Sequence, residues 1–235
     1  MKEAIVLFSG GKDSLLATVR YLDTGYKVYL ITYKNSCGIG IDNVNNTSKR
    51  LTDKYGQDKV VLLGAKDISP IFRTMIYPFY NYKINEIYNK FGNISISQFN
   101  CLACRTSMYV NSIILSKQYN IKEVVDGARN CQLFAIEQKE MLDEYRKLFH
   151  KYGIDIKYPL ENLEDDWDLK NELLMRGIIP KTLEPQCLLG CPLSKNDIDR
   201  EIMEAVVNVY QNYLLEKVYK CIENFKDIKH MGEYI

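Results

Sequence analysis

Histidine is nearly missing from the chain: only His150 and His230 occur in 235 residues. Neither has a second histidine or an acidic pattern beside it, which argues against a histidine-built metal site and reads both as surface residues. An excess of either charge is also missing. With 31 basic against 30 acidic residues the formal charge is +1, so no whole-molecule field draws a polyanion, and any nucleic-acid contact must come from a local basic patch. No apolar run approaches the roughly 18 residues of a membrane span, and the stretch from Met1 to Phe8 is too short for a secretory core. The expectation is a cytoplasmic protein with no membrane partner. Proline- or glycine-rich linkers, internal repeats and low-complexity tracts are absent too, while 46% hydrophobic and 26% charged residues suit an ordered globular chain. Its length suits one sizeable core with at most a small appendage.

What is present has the rhythm of an α/β protein. Ala4 to Phe8 is a continuous apolar run of strand length, the pattern of a strand covered on both faces. Ser9 and two glycines end it, and from Asp13 to Leu22 the apolar residues Leu15, Leu16, Val19 and Leu22 recur at helical spacing, with Gly25 as a stop. Lys27 to Tyr33, Lys59 to Leu63 and Glu123 to Val125 read as further strands, and Ile154 to Leu160 as a late one. Strands alternating with helices predict a doubly wound parallel sheet with right-handed crossovers and ligands beyond the carboxyl ends of the strands. Ser9 to Ser14, Tyr33 to Cys37 and Asp126 to Arg129 all fall at such ends. The span 68–100, rich in Tyr, Phe and Asn, reads as an insertion or lid that is helical in part, its aromatics serving as core or oligomer contacts before a base-stacking platform. Asp166 to Gly177 reads as a helix capped near Asp165, with Asp165 and Asp166 as capping rather than metal-binding residues. Ile202, Val206, Val209, Tyr213, Val218 and Ile222 recur at mixed spacings, consistent with one long helix or two shorter ones. The expected division is an α/β domain over 1–192 and a helical extension over 193–235.

Ser9-Gly10-Gly11-Lys12-Asp13-Ser14 carries the strongest chemistry. Backbone N–H groups of a glycine-rich turn form an anion cradle, and the start of the following helix adds positive potential at the same place. Gly10 and Gly11 allow close approach, Ser9 and Ser14 offer hydroxyls, Lys12 a point charge, and Asp13 a ligand for a phosphate-bridging Mg²⁺. The spacing is neither GxxxxGK[ST] nor GxGxxG. A plain helix-capping turn would need fewer polar groups. The hexapeptide directly after an N-terminal strand resembles the signature of the PP-loop ATP pyrophosphatase superfamily. That resemblance implies a Rossmann-like doubly wound fold, cleavage of ATP between its α and β phosphates, and adenine recognition by backbone near Ile31 to Tyr33, at Thr32. It also implies a nucleotide contact at the turn Asp126-Gly127-Ala128-Arg129, through Gly127 and Arg129.

Seven cysteines, an odd count, argue against a disulfide framework and for metal ligation or thiol chemistry. Cys101-Leu102-Ala103-Cys104 is a CxxC, and Cys187 and Cys191 form a CxxxC before Pro192. Two close pairs can build a Cys₄ zinc site, three thiolates can hold a 4Fe–4S cluster with one iron open, and Cys101 with Cys104 can act as a redox pair. The superfamily's tRNA 2-thiolating enzymes are similar in placing a central CxxC and a late cysteine after a Pro-Leu strand, here Pro159-Leu160. The resemblance implies a cluster held by Cys101, Cys104 and Cys187, with Cys191 as the competing third or a fourth ligand. The fourth cysteine keeps Zn²⁺ open, as in 7-cyano-7-deazaguanine synthase. Cys131 and Cys221 read as small hydrophobes. Cys37, close to the expected nucleotide, is a candidate sulfur carrier beside the catalytic Lys12 and Asp13.

The implied activity is adenylation of a substrate carbonyl with release of pyrophosphate, followed by displacement of AMP by sulfur. The acceptor is tRNA or a small heterocycle, and sulfide or a donor protein supplies the sulfur. A local surface of Lys49, Arg50, Lys195, Arg200, Lys217 and Lys220 would meet RNA, although such residues more often form a solvated face. A zinc-containing amidating ligase and a nucleotide-binding regulatory module are the alternatives. A homodimer stays open.

Overall fold

The computed structural model describes residues 1–35, 38–39, 43–180, 186–187 and 198–224. Its main sheet has five strands: β1 (Glu3–Leu7), β2 (Lys27–Lys34), β4 (Val60–Asp67), β5 (Glu123–Val125) and β6 (Asp155–Lys157). They lie in the order β4-β2-β1-β5-β6, and every pairing is parallel. A two-residue antiparallel pair, β3 (Gly38–Ile39) with β7 (Gln186–Cys187), stands apart from it.

β1 lies at the centre because its residues can be buried on both sides. Ala4, Val6 and Phe8 face one core, made with Leu15, Leu16 and Val19 of α1 (Lys12–Asp23), Leu51 of α2 (Asn43–Tyr55) and Leu169 and Leu173 of α7 (Asp166–Met175). Ile5 and Leu7 face the other. That larger core gathers α3 (Ser69–Tyr80), α4 (Ile84–Phe91), α5 (Ile96–Tyr119), α6 (Lys139–Lys151), α8 (Arg200–Val209) and α9 (Leu215–Glu223). The strand alternation of period two thus sorts neighbouring residues into two layers of helices, the three-layer α/β arrangement.

β4 runs longer than the expected Lys59 to Leu63, because its pairing with β2 resumes after a register shift. Leu30 faces Leu62 and Ile31 faces Gly64, so Leu63 is the extra residue, and Gly64 takes φ +88°. The late strand is confined to Asp155–Lys157. In the aromatic stretch, Phe72, Phe79, Phe91 and Phe99 are buried, with Phe79 and Phe99 stacked at 3.6 Å, whereas Tyr77, Tyr80 and Tyr88 are exposed. Arg200 to Glu223 runs as one helical rod, interrupted only by a π turn over Tyr210–Leu214. No helix among the described residues is long and apolar enough to cross a membrane.

Candidate functional site

The chain moves outward from β1 through β2 to β4 on one side, then restarts on the other side with β5 and β6. That reversal leaves a crevice at the carboxyl ends of β1 and β5, where ligands bind in doubly wound sheets. A cavity of about 700 Å³ opens there, lined by Ser9, Gly11 to Ser14, Thr32, Cys101, Cys104, Arg105, Asp126 to Arg129, Glu137, Asp166 and Cys187, among others. Of the residues singled out in the sequence as site candidates, it unites the glycine loop, Thr32, the Gly127–Arg129 turn, and Cys101, Cys104 and Cys187. Cys37 and Cys191 lie outside the described residues.

The loop is shaped by its own serines. Ser14 Oγ donates to the Gly11 carbonyl at 3.0 Å and accepts from the Ser9 amide at 3.2 Å, while Ser9 Oγ accepts from the Gly11 amide at 3.3 Å. Gly10 takes φ +77°, a conformation that favours glycine. Gly11 is the N-cap of α1 and has no side chain with which to satisfy the first-turn N–H groups. Those amides have no intrahelical acceptor either, so they suit an anion. Thr32 Oγ1 donates to the Phe8 carbonyl at 2.6 Å, tying the end of β2 to the loop's entry. The turn after β5 is pressed against the loop: a Cβ on Gly127 would stand 2.8 Å from the Asp13 carbonyl carbon.

Two charge clusters flank the loop. In the first, Arg129 is 3% exposed and lies between two carboxylates. Its Nη2 donates to Asp166 Oδ1 at 2.6 Å. Its Nε stands 2.6 Å from Asp13 Oδ1 without the N–H directed at it, so that contact is ionic rather than a hydrogen bond. Nη1 is buried, and no described residue accepts from it. Lys12 Nζ donates to Asp166 Oδ2 at 2.8 Å. Hydrogen bonds from Lys12 and then Arg129 hold the Asp166 carboxyl down to about 2. In the second cluster Arg105 bridges Asp126 and Glu137 at 2.5 Å each, and Tyr109 donates to Asp126 at 2.6 Å. Burial pushes the Glu137 carboxyl up to about 7 against the pull of Arg105, because one guanidinium serves two carboxylates.

Cys101, Cys104 and Arg105 follow one face of α5 into the cavity, one helical turn after its capping box of Ser95 and Gln98. Asn35 Nδ2 donates to Cys104 Sγ at 3.0 Å. Cys187 reaches the same cavity from β7, opposite Gly38. Among the described residues, no group of three or more His, Cys, Asp or Glu is gathered closely enough to hold a metal ion. Cys131 is exposed at the cavity edge, and Cys221 is half-buried beside Thr74. The basic residues considered for RNA are not gathered at the cavity: Arg200 pairs with Glu204, Lys220 with Glu216, and Lys195 lies outside the described residues.

Sequence reading did not find Arg105, Glu137 or the site role of Asp166. Their partners are 21 to 154 positions away, and Asp166 beside Asp165 looks like a helix cap.

No family model and no curated protein matches the chain. Solved structures do. A 4-thiouridine synthetase in complex with RNA and ATP matches with a TM-score of 0.60 at 13% identity, over 98% of this chain and 53% of that one, so the chain spans about half its length. A predicted subunit of tRNA methyltransferase from Methanocaldococcus jannaschii matches at TM-score 0.44 and 18% identity, over 84% of this chain and 100% of that one. An NMN synthetase from Francisella tularensis matches at TM-score 0.41 and 13% identity, over 92% and 86%. The chain thus shares its doubly wound, Rossmann-like α/β fold with that 4-thiouridine synthetase.

Proposed function

We propose that the chain is an ATP-dependent adenylating enzyme that activates a carbonyl of its acceptor and replaces the oxygen with sulfur, acting on tRNA in the manner of a thiouridine or thiocytidine synthetase. One observation carries this reading: the glycine loop that opens α1, a buried arginine with an N–H that no described residue accepts, and the candidate ligands Cys101, Cys104 and Cys187 line a single cavity at the sheet's switch point. In this reading the phosphates lie at the glycine loop and the start of α1, with Lys12 and Arg129 beside them, and adenine lies against the end of β2 at Thr32.

The carbonyl oxygen attacks the α-phosphorus, the bond to the β-phosphate oxygen breaks, and pyrophosphate leaves. Lys12, Arg129 and the loop amides neutralise the charge that grows on the leaving group, a preorganised electrostatic contribution. Asp13 is an oxygen donor of the kind Mg²⁺ takes, and that ion would add charge compensation between the phosphates. A sulfur nucleophile then displaces AMP from the activated carbon, so a C–O bond breaks as a C–S bond forms. Cys101, Cys104 and Cys187, with Cys191 the competing ligand, are soft donors of the kind a 4Fe–4S cluster takes, and such a cluster would supply an open iron for sulfide, but the three would first have to draw together, because as they stand they are not gathered closely enough to hold a metal. The α/β unit over 1–192 would hold this chemistry, with 193–235 as its helical buttress.

The test is anaerobic incubation with ATP, Mg²⁺, bulk tRNA and sulfide, followed by pyrophosphate assay and nucleoside mass spectrometry. Pyrophosphate release dependent on tRNA, with a thionucleoside formed, is expected. ATP left intact with every acceptor pool would overturn the reading, and a product formed with ammonia in place of sulfide would move the chain to the amidating ligases.

A further inference from the structure

We infer that Asp166 is a built-in competitor of the nucleotide: its carboxylate binds the same two cations, Lys12 and Arg129, that the phosphates require, and it sets how tightly ATP is held. This rests on the reading of the glycine loop as the phosphate site.

The geometry is that of a bridging anion. One carboxylate oxygen of Asp166 takes Lys12 at 2.8 Å and the other takes Arg129 at 2.6 Å, so both cations are committed to a residue from a distant helix. The α7 cap does not need Asp166, because Asp165 Oδ1 accepts from the Trp167 amide at 2.7 Å. Nor does it anchor the helix body. Arg20 holds Glu172 at 2.5 and 2.8 Å, and Arg176 holds Asp23 at 2.6 Å, so α7 is fastened to α1 further along.

Exposure decides which partner yields. Arg129 is 3% exposed and Asp166 is 45% exposed, so the carboxylate can turn to solvent while the guanidinium cannot. A buried cation left without an anion is strongly disfavoured. Asp13 supplies one counter-charge to Arg129, and the second comes from either Asp166 or a phosphate. Exchange of one anion for the other keeps the guanidinium compensated throughout, and Nη1, which no described residue engages, is a further donor that a phosphate can take up and Asp166 does not. Adenosine, lacking phosphate, has no quarrel with Asp166.

Calorimetry with ATP and Mg²⁺, and separately with adenosine, on wild type, Asp166→Asn and Asp166→Glu tests this. Asp166→Asn removes the competing charge and should tighten ATP about tenfold, the worth of one charge-assisted contact, while leaving adenosine unchanged. Asp166→Glu retains the charge and should hold ATP within about twofold of wild type, which keeps the test decisive if the asparagine variant folds poorly; a tenfold change there would overturn the proposal. Unchanged or weaker ATP binding by a folded Asp166→Asn would overturn it as well, the weaker case marking Asp166 as a magnesium ligand instead. Wild type that binds no ATP would sink the nucleotide reading itself, a different failure.

Discussion

Glu137 is the residue whose protonation bears most directly on this site. Its folded-state affinity for a proton is raised, with the carboxyl pushed to about 7 by burial from a usual value near 4.5. A carboxyl raised in this way contributes stability while protonated in both states, and loses it as pH climbs from the unfolded value through the folded one. Wild type should therefore lose up to about 3 kcal/mol relative to Glu137→Gln between roughly pH 4.5 and 7. Urea titrations of both proteins across that range check it, and parallel profiles would show that Arg105 keeps Glu137 ionised. At this scale the sequence was readable where chemistry is local. Ser9 to Ser14 gathers its serines, glycines, lysine and aspartate within six positions, and a CxxC announces itself. Arg105, by contrast, is an ordinary helix residue until the fold brings Asp126 and Glu137 to it.

At the scale of elements, the contact between the β5 turn and the loop before α1 is the tightest in the site. Gly127 lets the two backbones meet: an added Cβ would stand 2.8 Å from the Asp13 carbonyl carbon and 2.9 Å from both the Asp13 oxygen and the Ser14 nitrogen. Backbone atoms cannot yield as side-chain tips do, so Gly127→Ala should cost about 1–3 kcal/mol and push the glycine loop out of shape. Thermal unfolding with and without ATP measures both effects, and a variant with wild-type stability and nucleotide shift would refute the close packing. Legibility differs among elements for a physical reason. β1 is unmistakable because burial on both faces demands an unbroken apolar run, whereas β4 is read short because its pairing recovers only after the irregularity at Leu63. In the C-terminal rod, the five-residue step from Tyr213 to Val218 breaks the 3/4 spacing. The π turn over Tyr210–Leu214 absorbs it, its wider repeat keeping both residues on the buried side.

The whole molecule is organised around that rod as much as around the sheet. Met203, Val206, Val209, Tyr210, Tyr213, Leu214, Val218 and Ile222 are all buried in the larger core, and Tyr213 packs edge-on against Phe79, Phe91 and Phe99. The aromatic stretch 68–100 and the C-terminal helices therefore complete one another's burial, although nothing in either segment's pattern names the other as its partner. Each such side chain is worth about 1.5–3 kcal/mol when fully buried, and a domain's net stability is only about 5–15 kcal/mol. Ending the chain after Asp199 would expose the facing rings of α3, α4 and α5 and remove more stabilisation than the remainder possesses. Such a truncation should fail to give a cooperative unfolding transition by circular dichroism. Because α5 carries Cys101, Cys104 and Arg105 into the cavity, it should lose ATP binding too, even though the glycine loop is untouched. A truncated chain that melts cooperatively and still binds ATP would show that the sheet and its site fold without the helical buttress.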